Sequence, residues 1–189
     1  MKNRWLLIGI GIVVLLIIIV GATLWGTYNS LVTKSQNIDA QWAQVETQYQ
    51  RRFDLIPNLV NAVKGIMTQE QTVFAQIAEA RSKYAGARTT DEKAAAGGEV
   101  EAALGRLLVI MENYPQLRSI EAVTQLMDEL AGTENRISVE RQRYNNLVRD
   151  YNTTIKQFPT NLMAGLFNFN EREYFESVTG ADTVPKVEF

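Results

Sequence analysis

From Trp5 to Trp25 the chain carries no charged side chain, and Leu6 to Val20 is Leu, Ile, Val and Gly throughout. As a helix this run spans about 31 Å at 1.5 Å rise per residue, matching a bilayer hydrocarbon core of ~30 Å. A helix that is apolar on every side has to be covered on every side, by lipid or by a large core. The residues that follow suffice for one domain of ordinary size. Lipid is therefore the expected cover, and residues 1–27 read as a transmembrane anchor. Trp5, Trp25 and Tyr28 fall where membrane-interface aromatics are expected. A cleaved signal peptide is the competing reading, but its apolar run is shorter, about 7–15 residues, and no A-x-A site follows here. Lys2 and Arg4 precede the run, and only Lys34 follows it closely. That excess of positive charge predicts a cytoplasmic N-terminus, a single pass through the inner (cytoplasmic) membrane and an extracytoplasmic domain.

Beyond the anchor the apolar residues recur at three/four spacing from Tyr28 to Tyr84. One heptad series reads Ile38, Val45, Arg52, Leu59, Ile66, Val73, and its partner reads Trp42, Tyr49, Ile56, Val63, Glu70, Ile77, Tyr84. Such patterning marks a long helix packed against others, coiled-coil fashion. The phase survives Pro57, which predicts a kinked but continuous helix there instead of a turn. Thr89 and Glu92 have the spacing of a capping box and open a second helix, softened by Gly97 and Gly98 and ended by Pro115. Ser119 can cap a third, whose stripe is Val123, Leu130, Ile137, Tyr144, Tyr151, Phe158, with Pro159 closing it. The segment holding Leu162, Met163, Leu166, Phe167, Phe169, Tyr174 and Phe175 is too apolar to float free in solution. It should dock on the bundle, a second subunit or the membrane surface. Nothing suggests a strand, and the class is all-α.

Four ionisable residues fall on the core-facing registers: Arg52, Glu70, Glu134 and Arg141. Two are positive and two negative, so pairwise neutralisation is open to them. A buried charge layer of this kind fixes helix register and orientation, as single polar residues do in coiled coils. A polar site or proton relay is the functional alternative, and paired carboxylates do serve acid–base chemistry in glycosidases. The balance of arginines against carboxylates favours the structural reading. On that reading Arg52→Leu destabilises strongly, whereas Lys64→Leu, off the core register, matters little.

Composition narrows the chemistry. The chain has no histidine and no cysteine, which removes Ser-His-Asp and Cys-His catalysis, imidazole or thiolate zinc sites and disulfides. A formal net charge of -2 without a basic stripe makes a poor nucleic-acid binder.

The string Arg51-Arg-Phe-Asp-Leu-Ile-Pro-Asn-Leu-Val60 resembles the signature of the LemA family, together with Tyr28-Asn-Ser-Leu-Val, Trp42 and Val63-Lys-Gly. The likeness extends to Glu112-Asn-Tyr-Pro115, the Glu134 to Arg141 spacing, Tyr144-Asn145, Tyr151-Asn152 and Phe158-Pro159. It implies a transmembrane helix followed by an elongated up-and-down bundle of about four helices, here residues 28–178; the last residues, 179–189, read as an extended tail. The likeness supplies no catalytic residue and no cofactor. It implies a link to membrane metallopeptidases through neighbouring genes and a part in magnetosome membranes for some relatives. It also places the short N-terminus outside, against the charge count.

The expectation is a non-catalytic, membrane-anchored scaffold or oligomeric assembly module of the bacterial cell envelope. Its partners would be the bilayer, further copies of itself and an envelope protein such as a membrane metallopeptidase, and not nucleic acid. An adaptor or regulator of such a peptidase is the alternative, and an enzyme using buried carboxylates the less favoured one.

Overall fold

In the computed structural model the backbone is described for residues 2–175 and side chains from Gly9 onward. The expected tail at 179–189, the end of the bundle beyond 175 and the Trp5 side chain lie outside the described residues. Within them every regular element is helical. The order is α1 (Lys2–Lys64), α2 (Gln71–Gly86), α3 (Thr90–Met111), a 3-10 turn (Pro115–Ser119), α4 (Glu121–Lys156) and α5 (Thr160–Leu166). The architecture is the helical bundle that the heptad pattern requires, led by a long apolar helix.

The first stretch of α1 is long and apolar enough to cross a membrane, and none of that window is covered by protein. Ile10 and Ile12 to Val20 are all exposed. Helix α1 then runs through Pro57 without a break. The proline has no N–H to give, so the Phe53 carbonyl loses its usual helical partner.

Continuity to Tyr84, however, does not hold. Helix α1 stops at Lys64, and residues 65–70 form turns in which Ile66 and Met67 both donate to the Val63 carbonyl, at 3.0 and 2.9 Å. Lys64-Gly65 carries a stop signal: a basic residue in the last turn, then a residue about 1 kcal/mol poorer than alanine in a helix. The heptad phase masks it because Leu59 and Val63 before the break and Val73 and Ile77 after it are all buried.

The start of α3 follows its sequence signal. Thr89 Oγ1 accepts from Glu92 N at 3.1 Å, and the Glu92 carboxylate accepts from Arg88 N at 2.8 Å and Thr89 N at 3.2 Å. Those backbone donors, Arg88 first, hold the Glu92 carboxyl below its ordinary value. Ser119 does not cap α4. It ends the 3-10 turn, and its hydroxyl donates to the Gln116 carbonyl at 2.7 Å.

Two compact units share these helices. One comprises residues 1–41 and 144–174, with Leu31, Ile38, Tyr144, Val148, Tyr151 and Ile155 in its core. There the chain after α5 is held by side chains of α1 and α4. Asn152 Nδ2 donates to the Arg172 carbonyl at 2.8 Å while Arg172 N donates to Asn152 Oδ1 at 2.9 Å. The amide thus stands in for a strand neighbour. The Arg172 guanidinium reaches Asp39 at 3.0 Å and Ser35 at 3.0 Å.

The other unit spans residues 42–143 and adds Phe175. Its α1, α2, α3 and α4 stretches bury Tyr49, Ile56, Leu59, Ile77, Leu104, Leu107 and Ile137. Gly97, expected only to soften α3, proves to be a packing site. A Cβ there would stand 2.8 Å from the Tyr49 ring and hydroxyl, whereas one at Gly105 would meet nothing within 4 Å. Two glycine-to-alanine changes in one helix should therefore differ in sign. Thermal unfolding of the detergent-solubilised chain should show Gly97→Ala destabilised by about 1–3 kcal/mol from overpacking. Gly105→Ala should be stabilised by about 0.5–1 kcal/mol from helix propensity.

Candidate functional site

The four charges expected in one buried layer separate into three clusters. Arg52 is buried, at 7% exposure, and its Nη1 lies 2.6 Å from Glu134 Oε2. The same nitrogen approaches the Leu130 carbonyl at 3.4 Å, an oxygen that also accepts from the Thr133 hydroxyl at 2.7 Å. Helix α1 is therefore tied to α4 by both side chain and backbone. Glu134 is not buried, its side chain being 45% exposed. The heptad register leaves the partner of Arg52 open; α1 and the middle of α4 make it Glu134, in a pair with only its cation desolvated.

Arg141 on α4 is half-buried and does not pair with Glu70. Its Nη2 donates both to the Glu101 carboxylate on α3 and to the Tyr49 hydroxyl on α1, while Tyr49 donates to the same Glu101 oxygen at 3.4 Å. The guanidinium carbon sits 4.4 Å from the Phe175 ring centroid and 5.3 Å from that of Tyr49. This combines a charge-assisted triangle with cation–π contact. Tyr49 continues into an aromatic group with Phe53 and Tyr84, whose rings meet edge to face at 4.4 Å. Burial first, then the Glu101 carboxylate, push the Tyr49 phenol up to about 12 against the opposing Arg141 charge. Burial and the Glu46 carboxylate raise Tyr84 as well, and its buried hydroxyl has no hydrogen-bond partner among the described residues.

Glu70 is half-exposed at the position before α2, where a negative charge suits the helix N-terminus. Its carboxylate accepts from the Tyr114 hydroxyl at 3.2 Å. Beside it an open groove of about 540 Å³ lies between α2 and α3. Val73, Ala102, Gly105, Val109 and Ile110 give it a mostly apolar lining, and Arg106 donates to Gln76 across it at 3.1 Å. Among the described residues no three acidic side chains converge to hold a metal ion. Of the expected interface aromatics, Trp25 and Tyr28 are both exposed, and Tyr28 also packs on Phe167 and Phe169.

Glu101 escapes a reading by register, and Tyr49, though on the core register, gives no sign there of its polar role. Tyr49 looks like an ordinary core aromatic, and Glu101 follows Val100 on what reads as the flank of α3. The one available signal was Gly97, a poor helix residue that needs a reason to be there.

What these clusters define, among the described residues, is an all-helical protein with a membrane-length apolar N-terminal helix, whose core-register charges each have a side-chain partner within the bundle while Arg52 Nε and Arg141 Nε stay buried without one. The chain belongs to the LemA family, whose model matches residues 41–189. Among curated proteins it is similar to the magnetosome proteins MamQ 1 and MamQ 2 of Paramagnetospirillum magneticum, each 29% identical over 188 aligned residues. That match covers 86% of this chain and 69% of each relative. The magnetosome protein MamQ of Magnetospirillum gryphiswaldense is 27% identical, covering 85% and 69%.

The asymmetric burial of the Arg52–Glu134 pair reverses the expectation that losing Arg52 is the costly change. Glu134→Gln strands a buried cation and should cost about 1–3 kcal/mol. Arg52→Met leaves a carboxylate that water can solvate and should stay within about 1 kcal/mol. Lys64→Leu, at an exposed position, should do the same. Thermal melts of the three variants check the order.

A second expectation concerns pH. A folded-state phenol pKa of about 12, against roughly 10 unfolded, means that the unfolded chain loses this proton first. The stabilisation is complete below pH ~10 and falls away toward pH ~12, at a slope of about 1.4 kcal/mol for each pH step of one between those values. Tyr49→Phe should flatten part of that alkaline slope in melts recorded from about pH 9 to 11.5, the window that opens just below the unfolded value.

Proposed function

We propose that this protein is a non-catalytic, single-pass scaffold of the bacterial cell envelope, which anchors a self-associating helical bundle to the inner membrane. The observation that carries this reading is the fate of its core-register charges. Arg52, Glu134, Arg141 and Glu70 each engage another side chain of the same bundle, Arg141 through Glu101. The one phenol in the triangle is pushed up to about 12, away from the neutral range where a general acid or base works. Lys2 and Arg4 against Lys34 favour an extracytoplasmic body. The relatives are named for a cellular structure, the magnetosome, and not for a reaction, which accords with a structural role.

Crosslinking in native membranes, followed by mass determination of the detergent-extracted protein, tests the proposal. Discrete multimers of this chain are expected. A strictly monomeric extract with no self-crosslink in the membrane would overturn the assembly role. Reproducible co-purification of a membrane peptidase with that monomer would replace it by the adaptor reading.

A further inference from the structure

Helix α5 and its flanks present an apolar surface where water should be, and the contact that fixes their position lies at the end of the anchor. Phe158, Leu162 and Leu166 recur at intervals of four and are 80%, 65% and 72% exposed, while Met163 and Ala164 on the other side of α5 are buried. Phe158 stands in the turn before α5, and Leu162 and Leu166 share the exposed side of the helix with Asn161, so three large apolar side chains face outward where a helix on a soluble surface is polar. At the C-terminal end of α5, Asn168 takes a positive φ of 56°. Phe169 N donates to the Ala164 carbonyl at 2.9 Å, the bond of a Schellman turn. That turn brings Phe167 and Phe169 onto Tyr28, with ring centroids 4.9 and 5.8 Å away and the rings edge to face.

Tyr28 is only three residues, about 4.5 Å along a helix axis, beyond Trp25, where the charge-free apolar run ends. The Phe158–Leu166 stripe is therefore held beside the residues at which α1 leaves the hydrocarbon. Charge points the same way. From Gln157 to Asn170 there is no ionisable side chain, and the charges that bracket this stretch, Lys156 and Glu171, pair with each other at 2.8 Å. The next charge along α1, Lys34, is paired with Asp150.

We propose that Phe158, Leu162 and Leu166 form a second membrane contact, a foot that lies in the interfacial layer of the leaflet from which α1 emerges. The proposal rests on the anchor reading of α1. Its partner is a lipid surface, and the absence of charge from the stretch makes the contact independent of anionic headgroups. A shallow amphipathic insertion of this kind is set by apolar area when electrostatic attraction is lacking. It gives the body a second point of attachment, which limits rotation about the single helix.

The natural chain lacks cysteine, which makes depth measurement direct. Full-length variants Leu162→Cys, Leu166→Cys, Ile17→Cys and Gln36→Cys, each carrying a polarity-sensitive fluorophore, are reconstituted in phosphatidylcholine vesicles. The vesicles contain spin-labelled lipid, and iodide is the aqueous quencher. Labels at Leu162 and Leu166 should be quenched by shallow spin-labelled lipid and shielded from iodide, and Gln36 should show the opposite. Ile17 should respond to the deep quencher. If Leu162 behaves like Gln36 while Ile17 is lipid-quenched, the foot is overturned and the anchor stands. Without lipid quenching at Ile17, anchor and foot fall together. Shielding of Leu162 from iodide without lipid quenching overturns the lipid assignment in favour of a second protein chain on the stripe.

Discussion

The unit built on residues 42–143 depends on one guanidinium. Arg141 is the point at which α1, α3 and α4 meet through polar atoms, its Nη2 shared between Tyr49 and Glu101. A charge in that position is costly unless its geometry is satisfied, and the cost makes the arrangement specific. Tyr49 can donate to Glu101 only if its ring lies close against α3, and α3 admits the ring only because residue 97 has no side chain. Glycine, tyrosine, arginine and glutamate on three helices therefore form one constraint, and sliding any of the helices by a turn would leave a buried ion without its partner. Phe175 packs its ring 4.4 Å from the guanidinium carbon and helps to shield the charge that holds the helices, which keeps 19% of its side-chain exposure.

How much of this could be read from the chain depends on the range of the interaction. The all-α class, the capping box at Thr89, the core stripe of α4 and the inward register of Arg52 follow from spacing along single helices. Each is a local pattern that survives whatever the tertiary fold does. The break after Lys64 has a local signal too, yet the heptad phase hides it. Val73 and Ile77 re-enter the core on the same phase after the turn, so phase alone cannot distinguish a helix that continues from one that restarts in register. The partner of Arg141 was beyond reach for a different reason. Register says that a residue faces inward, but not which of several inward-facing carboxylates stands opposite. Glu101 lies one place off the apolar stripe, and only the depth set by Gly97 brings it within reach.

Asn152 illustrates the same limit at the opposite polarity. A polar residue beside a core tyrosine can face solvent or bond across helices with equal ease. Its role becomes apparent only when Arg172 is found exchanging two hydrogen bonds with it. The amide recognises backbone and not side chain, so no pattern in the sequence of the partner segment betrays it. Arg172 then adds a second layer, holding Asp39 and Ser35 of α1. The segment after α5 is thereby fastened by a residue whose neighbours in sequence give no sign of it.

The apolar α5 stripe shows how burial and position together resolve what hydropathy leaves open. A segment with Leu162, Leu166 and two phenylalanines could have been core, interface or membrane contact as far as hydropathy goes. Burial removes the first option for Phe158, Leu162 and Leu166, which remain open although Met163 and Ala164 beside them are covered. We read its position as favouring the last of the three. The Asn168 turn sets Phe167 and Phe169 on Tyr28, and a helix seven residues long has little capacity to place itself. An aromatic clasp at the end of a membrane-length apolar run is an unfavourable way to display three large side chains to water and a favourable way to lay them on lipid. Neither charge nor a specific headgroup is required for that contact, which is why the uncharged stretch from Gln157 to Asn170 belongs to it as much as the stripe does.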